Sequence, residues 1–398
     1  MRIAYFSDNF YPELSGITDT ILITGGELSR RGHQVCYIGP RYSRKDYAKA
    51  GREYPADPDH ELVDEMPVVR LPSLPLPFSP TGQSRFALPV GRSFSFLEKF
   101  KPDLIHTQSP YSVGWEAVRA SRRFGAPLVG TNHTAIEDFL PAGQLMRAYD
   151  ARYYNHCDFV TAPYQKLLLR MREKGFRKPG RAVANPAELS EFTPANPADK
   201  AEYKNGLGLQ GPVLLYAGRL SADKRVDVLV RALPLLTKEF PTATLVVTGH
   251  GAAEPGLRAL AQKLGVAGNI RFVGFLSRKA LAQVYKAADI FTFMSTSDSQ
   301  SIALMQAYAA GIPAVCARAR GLPDYTPQNV GFLVEPGDVA GLAKHIQELL
   351  ANQNLREQMG KAGVEFVQKF SPEKIAAEWE KIYTEVSQNF RRTDEVKR

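Results

Sequence analysis

Cysteine is almost missing from this chain of 398 residues: Cys36, Cys157 and Cys316 are the three, far apart and without a CxxC pair. That excludes a disulfide framework and a cysteine zinc site, and it favours a reducing cytoplasm. The seven histidines show no metal-ligand spacing. No stretch approaches the roughly 18 to 20 uncharged apolar residues of a bilayer span. The opening Met1-Arg-Ile-Ala-Tyr-Phe-Ser-Asp8 runs straight into a strand-like segment and does not read as a signal peptide. Tandem repeats, low-complexity tracts and the HExxH, P-loop, GxSxG and nucleic-acid motifs are all lacking.

What remains is an ordinary globular composition, 44% hydrophobic and 23% charged, which rules out a disordered, collagen-like or coiled-coil chain. The length suits two medium domains, each able to bury a core. Lys and Arg number 50 against 41 Asp and Glu, a net charge of +9. A basic surplus favours acidic partners: nucleotide phosphates, anionic lipid headgroups or nucleic acid. Seven cations (Lys166, Arg170, Arg172, Lys174, Arg177, Lys178, Arg181) fall together around one acid, Glu173.

Short apolar runs alternate with helical patterns in both halves, which predicts parallel βαβ units. In the first half the strands fall at Ile3–Phe6, Gln34–Gly39, Leu104–His106, Pro127–Gly130 and Phe159–Ala162. The interval from Pro67 to Pro89 carries six prolines with Phe78 and Phe86, and reads as a long irregular loop system. From residue 186 to 210 the composition turns to Pro, Ala, Asn, Gly and charge, a linker signal. A second βαβ series follows from 211 to 372, beginning with a strand at Val213–Ala217. Ser371-Pro-Glu-Lys374 then opens a last helix, to about residue 390, with Ser as cap and Pro in the first turn. Residues 1–185 form the first domain. Open α/β domains take ligands at the carboxyl ends of their strands.

Two motifs are weak in context. Gly206-Leu-Gly-Leu-Gln-Gly211 spells G-x-G-x-x-G but precedes a strand, where a dinucleotide site follows one. Asp57-Pro-Asp59 has a divalent-ion spacing but lies in a charged, proline-rich loop. The stronger signals sit at strand ends. Gly16 stands between the first strand and first helix, as a turn glycine or as a gap that lets an anion approach helix N–H groups. Arg219 and Lys224, five apart after the first strand of the second half, are either a diphosphate clamp or two solvated cations. His133 closes another strand, as a ligand contact or a satisfied structural group. Asp298 lies in a polar strand end, as a sugar contact or a helix cap. Gln306 follows eight residues later, on the next helix.

In chain order, Arg2-Ile-Ala-Tyr-Phe with Ser15-Gly16-Ile, Arg31-Gly-His33, Pro102-Asp-Leu-Ile-His106, Thr131-Asn-His133-Thr134 and Tyr216-Ala-Gly-Arg219-Leu with Asp223-Lys224 resemble one family. It is the retaining GT-B glycosyltransferases of family GT4, and the likeness runs from Met1 to about residue 390. The resemblance implies an α/β fold of two facing Rossmann-like domains, the first for the acceptor and the second for the nucleotide-sugar donor, with the C-terminal helix crossing back to the first. It places Gly16 beside the donor phosphates, Arg219 and Lys224 on the diphosphate, and His133 on the donor hexose. Asp298 takes the sugar hydroxyls, Gln306 the ribose, and Ser299, Gln300, Ser301 and Ile302 supply backbone N–H groups. Family members carry two glutamates where this chain has Asp298 and Gln306. Val183-Ala-Asn-Pro-Ala187 also departs from the family's N-G-V-D form.

The implied activity is metal-independent transfer of a hexose, from UDP-glucose, to a lipid such as diacylglycerol, with neither metal nor other cofactor. Phe94, Phe96 and Phe100 with Arg92, Lys99 and Lys101, together with the Pro67–Pro89 segment and the Lys166–Arg181 helix, would form a lip on an anionic membrane surface. A cytoplasmic enzyme, peripheral on the inner face of the plasma membrane, is the corresponding location. The alternatives are a soluble sugar, polyol or metabolite acceptor, a UDP-sugar epimerase, or a non-catalytic nucleotide-sugar binder. Nucleic acid is not expected as a partner.

Overall fold

The computed structural model describes residues 1–13, 15–76, 83–133 and 149–397, with side chains described to Arg392. Phe78 of the proline-rich segment and Thr134 of the histidine motif lie outside them. The chain divides into two units, Met1–Pro186 with Pro372–Arg398, and Ala187–Ser371.

The first unit is built on eight strands in the order Gly180–Ala182, Phe159–Ala162, Leu128–Thr131, Leu104–Thr107, Arg2–Phe6, Gln34–Pro40, Met66–Leu71, Leu62–Val63. All pair in parallel except the last, at the edge. Ile3-Ala-Tyr-Phe6 is buried throughout, as a parallel strand covered on both faces must be. The second unit carries six parallel strands ordered Ile270–Gly274, Thr244–Thr248, Val213–Ala217, Ile290–Phe293, Ala314–Ala317, Gly331–Val334. In each sheet the first strand in sequence lies inside, and the order runs away from it on both sides. That reversal opens a crevice at the carboxyl ends of Arg2–Phe6 and Leu104–Thr107, and likewise of Val213–Ala217 and Ile290–Phe293.

Two sequence expectations need correction, and two elements went unread. The Pro67–Pro89 interval is not irregular throughout: Met66–Leu71 is a strand of the main sheet, and Ser73–Pro75 pairs antiparallel with Arg85–Ala87. The parallel register of Met66–Leu71 begins at Val68, one residue beyond Pro67, so the missing proline N–H lies ahead of that ladder. The 186–210 linker contains a helix, Pro197–Gly206, capped by Asn196. Lys200 and Lys204 of that helix both pair with Asp289. The strand Gly331–Val334 is the edge of the second sheet. The helix Gln353–Val367 was hidden by its glycines, which lower helix propensity. Packing requires one of them: a Cβ on Gly360 would stand 2.3 Å from the Gly311 carbonyl oxygen.

The last helix runs Pro372–Lys397, beyond the expected end near residue 390, and belongs to the first unit. Ile375, Ala376, Trp379, Ile382, Tyr383 and Val386 recur at three- and four-residue spacing, one apolar stripe. They share a core with Ile3, Tyr5, Ile21, Leu28 and Val35.

Candidate functional site

In the second unit the two loops at the crevice are Gly218–Arg225 and Met294–Ser301. They are tied together by hydrogen bonds. The Thr296 amide donates to the Asp223 carbonyl at 2.9 Å, and the Ser297 hydroxyl donates to the Asp223 carboxylate at 2.5 Å. Lys224 Nζ donates to Asp298 Oδ2 at 2.6 Å and to Ser297 Oγ at 3.1 Å. Ser295 also donates to the Asp298 carboxylate. The Lys224 side chain is only 9% exposed, so the pair is shielded from water and couples more strongly than a surface pair.

Lys224 and Asp298 are thus brought together as each other's counter-ion. Arg219 behaves differently: it is exposed, and no ion pair to it occurs among the described residues. Its carbonyl accepts the Tyr216 hydroxyl at 2.7 Å, which holds the turn while the guanidinium stays in solvent. Burial pushes Asp223 upward, but the Ser221 and Ser297 hydroxyls and the Lys224 charge outweigh it and carry its carboxyl down to about 2.

Asp298 is not a helix cap. Ser301 holds that post for Ile302–Ala309, its hydroxyl accepting from the Leu304 amide. Gln306 is half-buried on this helix, while Ser299, Gln300 and Ile302 form its half-buried approach. Nearby, Arg320 sits in the left-handed region at φ 52° and donates from Nε to the Thr296 carbonyl at 3.2 Å.

In the first unit Gly16 opens the helix Gly16–Arg30, capped by the Ser15 hydroxyl accepting from the Thr18 amide. Neither a positive φ nor packing demands a glycine there, since an added Cβ would meet open space. That removes the tight-turn reading and leaves room at a helix N-terminus. Asp8, buried, accepts from the Ser109 and Ser112 hydroxyls at 2.7 Å each and from the Val113 amide at 3.0 Å. Burial raises its pKa against these hydrogen bonds. His133 is 6% exposed, with Nε2 2.7 Å from Gln108 Oε1. Burial drives it down to about 4, so at neutral pH the ring is uncharged.

Sequence reasoning gave no role to Asp223, Ser295 and Ser297, which stitch the two loops of the second unit, or to Gln108 beside His133. His106 and Gln108 carried a readable signal. They lie two apart at a strand end and so share a face.

Among the described residues no group of three His, Cys, Asp or Glu could hold a metal ion. Asp57 is engaged by His60 and the Asp59 amide, and Asp59 by Arg41 and Arg92. No described helix is long and apolar enough to cross a membrane.

The expected aromatic lip is largely committed within the fold. Phe94 has Arg119 and Arg123 over its ring and Phe124 against its edge, and Phe96 stacks on Phe100. In the basic segment Arg172 lies over Phe176, Arg181 over Phe159, and Arg177 donates to backbone carbonyls. In the Pro67–Pro89 part of that lip Leu74, Leu76, Phe86 and Leu88 are exposed, as are Val90 beside it and Leu169 of the basic segment, each at 40 to 63%. Leu74 and Phe86 face each other across the short hairpin.

Two largely parallel α/β sheets, each with a polar cluster at the carboxyl ends of its strands, are an arrangement that takes ligands there, and comparison with known proteins gives the class. Residues 14–191 match the family model described as Glycosyltransferase Family 4, and residues 198–366 match Glycosyl transferases group 1. The chain is 31% identical over 319 residues to a D-inositol 3-phosphate glycosyltransferase of Streptomyces scabiei, covering 73% of this chain and 69% of that one. It is 26% identical over 328 residues to the alpha-monoglucosyldiacylglycerol synthase of Streptococcus pneumoniae, covering 79% and 70%. Its fold matches the crystal structure of Anabaena Alr3699/HepE in complex with UDP at a TM-score of 0.78, with 18% identity over 97% of this chain and 100% of that one. The chain belongs to glycosyltransferase family 4 and has the GT-B fold. It is a glycosyltransferase that takes its sugar from a nucleotide-sugar donor.

Proposed function

We propose that the enzyme moves glucose from UDP-glucose to a glycerolipid such as diacylglycerol, with retention and without a metal ion, while resting on an anionic membrane surface from the cytoplasmic side. The observation that carries the acceptor is the set of exposed apolar side chains Leu74, Leu76, Phe86, Leu88 and Val90 in a chain of net charge +9. Exposed leucines and a phenylalanine suit an acyl–headgroup boundary, and the cations suit anionic lipid. The Streptococcus pneumoniae relative is named for a glucosyldiacylglycerol product. The uridine nucleotide follows the one bound by the Anabaena protein.

In this reading Arg219 meets the donor diphosphate, with Lys224 behind it, and the helix N-terminus at Gly16 lies along the phosphates. Asp298 and the amides of Ser299–Ile302 hold the sugar, Gln306 the ribose and His133 the hexose. The bond from the anomeric carbon to the diphosphate oxygen breaks as the acceptor oxygen bonds on the same face. The acceptor's proton passes to the departing diphosphate. The main catalytic contribution is stabilisation of that leaving charge by groups already in place.

A second reading, transfer to a soluble polyol phosphate, is favoured by the higher identity to the inositol phosphate enzyme. A pocket in the first unit bordered by Tyr11, Thr18, Asp19, Arg52 and Asp64 suits a polar acceptor. The test is a grid of UDP-, GDP- and ADP-sugars against diacylglycerol in anionic vesicles and against D-inositol 3-phosphate, with and without chelator. Turnover with UDP-glucose and lipid, undiminished by chelator, is expected. Turnover with the inositol phosphate alone would overturn the lipid acceptor, and loss with chelator the metal-free mechanism.

A further inference from the structure

Lys224 is held by a network of side chains in the second unit whose direction is fixed by charge. A carboxylate only accepts hydrogen bonds and an ammonium only donates them. Asp223, its carboxyl carried down to about 2, therefore accepts the Ser221 and Ser297 hydroxyls at 2.5 Å each. Ser297 has given its one hydroxyl proton to Asp223, so it meets Lys224 Nζ as an acceptor, at 3.1 Å. Asp298 accepts Lys224 Nζ at 2.6 Å and the Ser295 hydroxyl, both on Oδ2. The Ser297 amide in turn donates to Ser295 Oγ at 3.3 Å.

This arrangement commits the lysine and leaves half of a carboxylate open. An ammonium has three N–H groups, and three side-chain oxygens surround Nζ: Asp298 Oδ2, Ser297 Oγ and, at 3.5 Å, Asp223 Oδ2. With the Lys224 side chain 9% exposed, contact with a phosphate would require it to break hydrogen bonds that folding has already made. Both hydrogen bonds to the Asp298 carboxylate fall on Oδ2. Among the described residues none reaches Oδ1, and the Asp298 side chain is 20% exposed. One oxygen thus remains for a hydroxyl from outside. Arg219 is exposed and has no such commitment to a carboxylate among the described residues.

We propose that Ser297 and Asp223 are positioning residues which hold Lys224 against Asp298 Oδ2, so that Lys224 acts on the donor sugar through Asp298 and not by touching the diphosphate, while Asp298 Oδ1 accepts a sugar hydroxyl. The sugar contact rests on the role given to Asp298 above; the placement of Lys224 does not. Two cations close together in the chain then divide the donor between them, Arg219 on the phosphates and Lys224 behind the sugar.

The experiment uses the full chain, with UDP and UDP-glucose as probes. Ser297→Ala removes the link to Lys224 without deleting a charge. It should bind UDP within about twofold of wild type, yet lower kcat/KM for UDP-glucose about tenfold, the kinetic equivalent of one hydrogen bond. Ser297→Thr keeps the hydroxyl and should restore most of that loss, a rescue that general loosening of the loop would not give. Lys224→Gln should also bind UDP within about twofold, while Arg219→Ala weakens UDP binding tenfold or more. The placement itself is read without substrate from ¹⁵N-labelled lysine. A shielded, hydrogen-bonded ammonium exchanges its protons slowly enough to give a separate signal, assigned by its loss in Lys224→Gln, and Ser297→Ala should broaden it.

Tenfold weaker UDP binding by Lys224→Gln would put Lys224 on the diphosphate and overturn the proposal. An ammonium signal unchanged in Ser297→Ala would overturn it as well. A signal that broadens as described while transfer stays at the wild-type rate would overturn the sugar contact of Asp298 and leave the placement of Lys224 standing. If the wild type binds no UDP, the uridine reading fails and the ammonium signal decides the placement.

Discussion

The two units use the same place in the same kind of sheet for opposite electrostatics. In the second, Asp223, Lys224 and Asp298 are charged and interlocked while Arg219 remains in solvent. In the first, the groups around His133 are uncharged and buried, linked by donor–acceptor direction alone. A charged cluster can stabilise a leaving diphosphate without moving, because its dipoles and charges are already paid for in folding. A neutral cluster suits a sugar, whose hydroxyls need direction more than charge.

Breaking the charged side should give the largest effect. Asp298→Ala leaves buried Lys224 with only the more distant Asp223, at 3.5 Å, as counter-ion and is expected to destabilise the second unit by about 3 kcal/mol in urea unfolding, with much of the loss recovered in the double variant with Lys224→Met. An unchanged midpoint would mean the pair is solvated in solution. Arg219→Ala should remove about 2 to 4 kcal/mol of transition-state stabilisation, read as kcat/KM, without moving the unfolding midpoint, because the side chain is exposed. Turnover within a few-fold of wild type would end its assignment to the diphosphate.

The neutral side is probed by pH. His133 and His106 are held below their ordinary value of 6.5 by burial, so below pH 6.5 the unfolded chain binds protons that the folded chain refuses. Stability is therefore present above pH 6.5 and should fall as pH drops toward 4, by up to about 1.4 kcal/mol per unit for each histidine. His133→Phe should flatten part of that slope; an identical slope would show that His133 does not titrate differently on folding. The smallest effect on stability belongs to the hairpin. Leu74→Ser and Phe86→Ser should change it by no more than about 0.5 kcal/mol, yet reduce sedimentation with anionic vesicles. Equal sedimentation would remove this surface from the membrane.

Much of the second unit's site could be read directly, because Arg219, Lys224 and Asp298 lie in loops that follow recognisable apolar strands. Their pairing could not be read: Lys224 and Asp298 are 74 residues apart, and only the order of strands makes their loops neighbours. Gly16 was readable as special, but its conformation was not, since a glycine at the first position of a helix and one in a tight turn look alike in a string of letters. The Pro67–Pro89 segment was readable as an apolar part of the lip, but its prolines suggested loop where Ser73–Pro75 pairs with Arg85–Ala87.

Local sequence pattern determined the alternation of strand and helix, the two-part organisation and the strand-end residues that carry family identity, because periodicity and chain breakers act over a few residues. Tertiary structure alone decided which charges neutralise one another, which phenylalanines are covered, and that a tyrosine from the final helix meets His106 from 277 positions along the chain. Those outcomes depend on which elements lie side by side in space, and adjacency in a sheet or at a helix face is set by the burial of the whole fold.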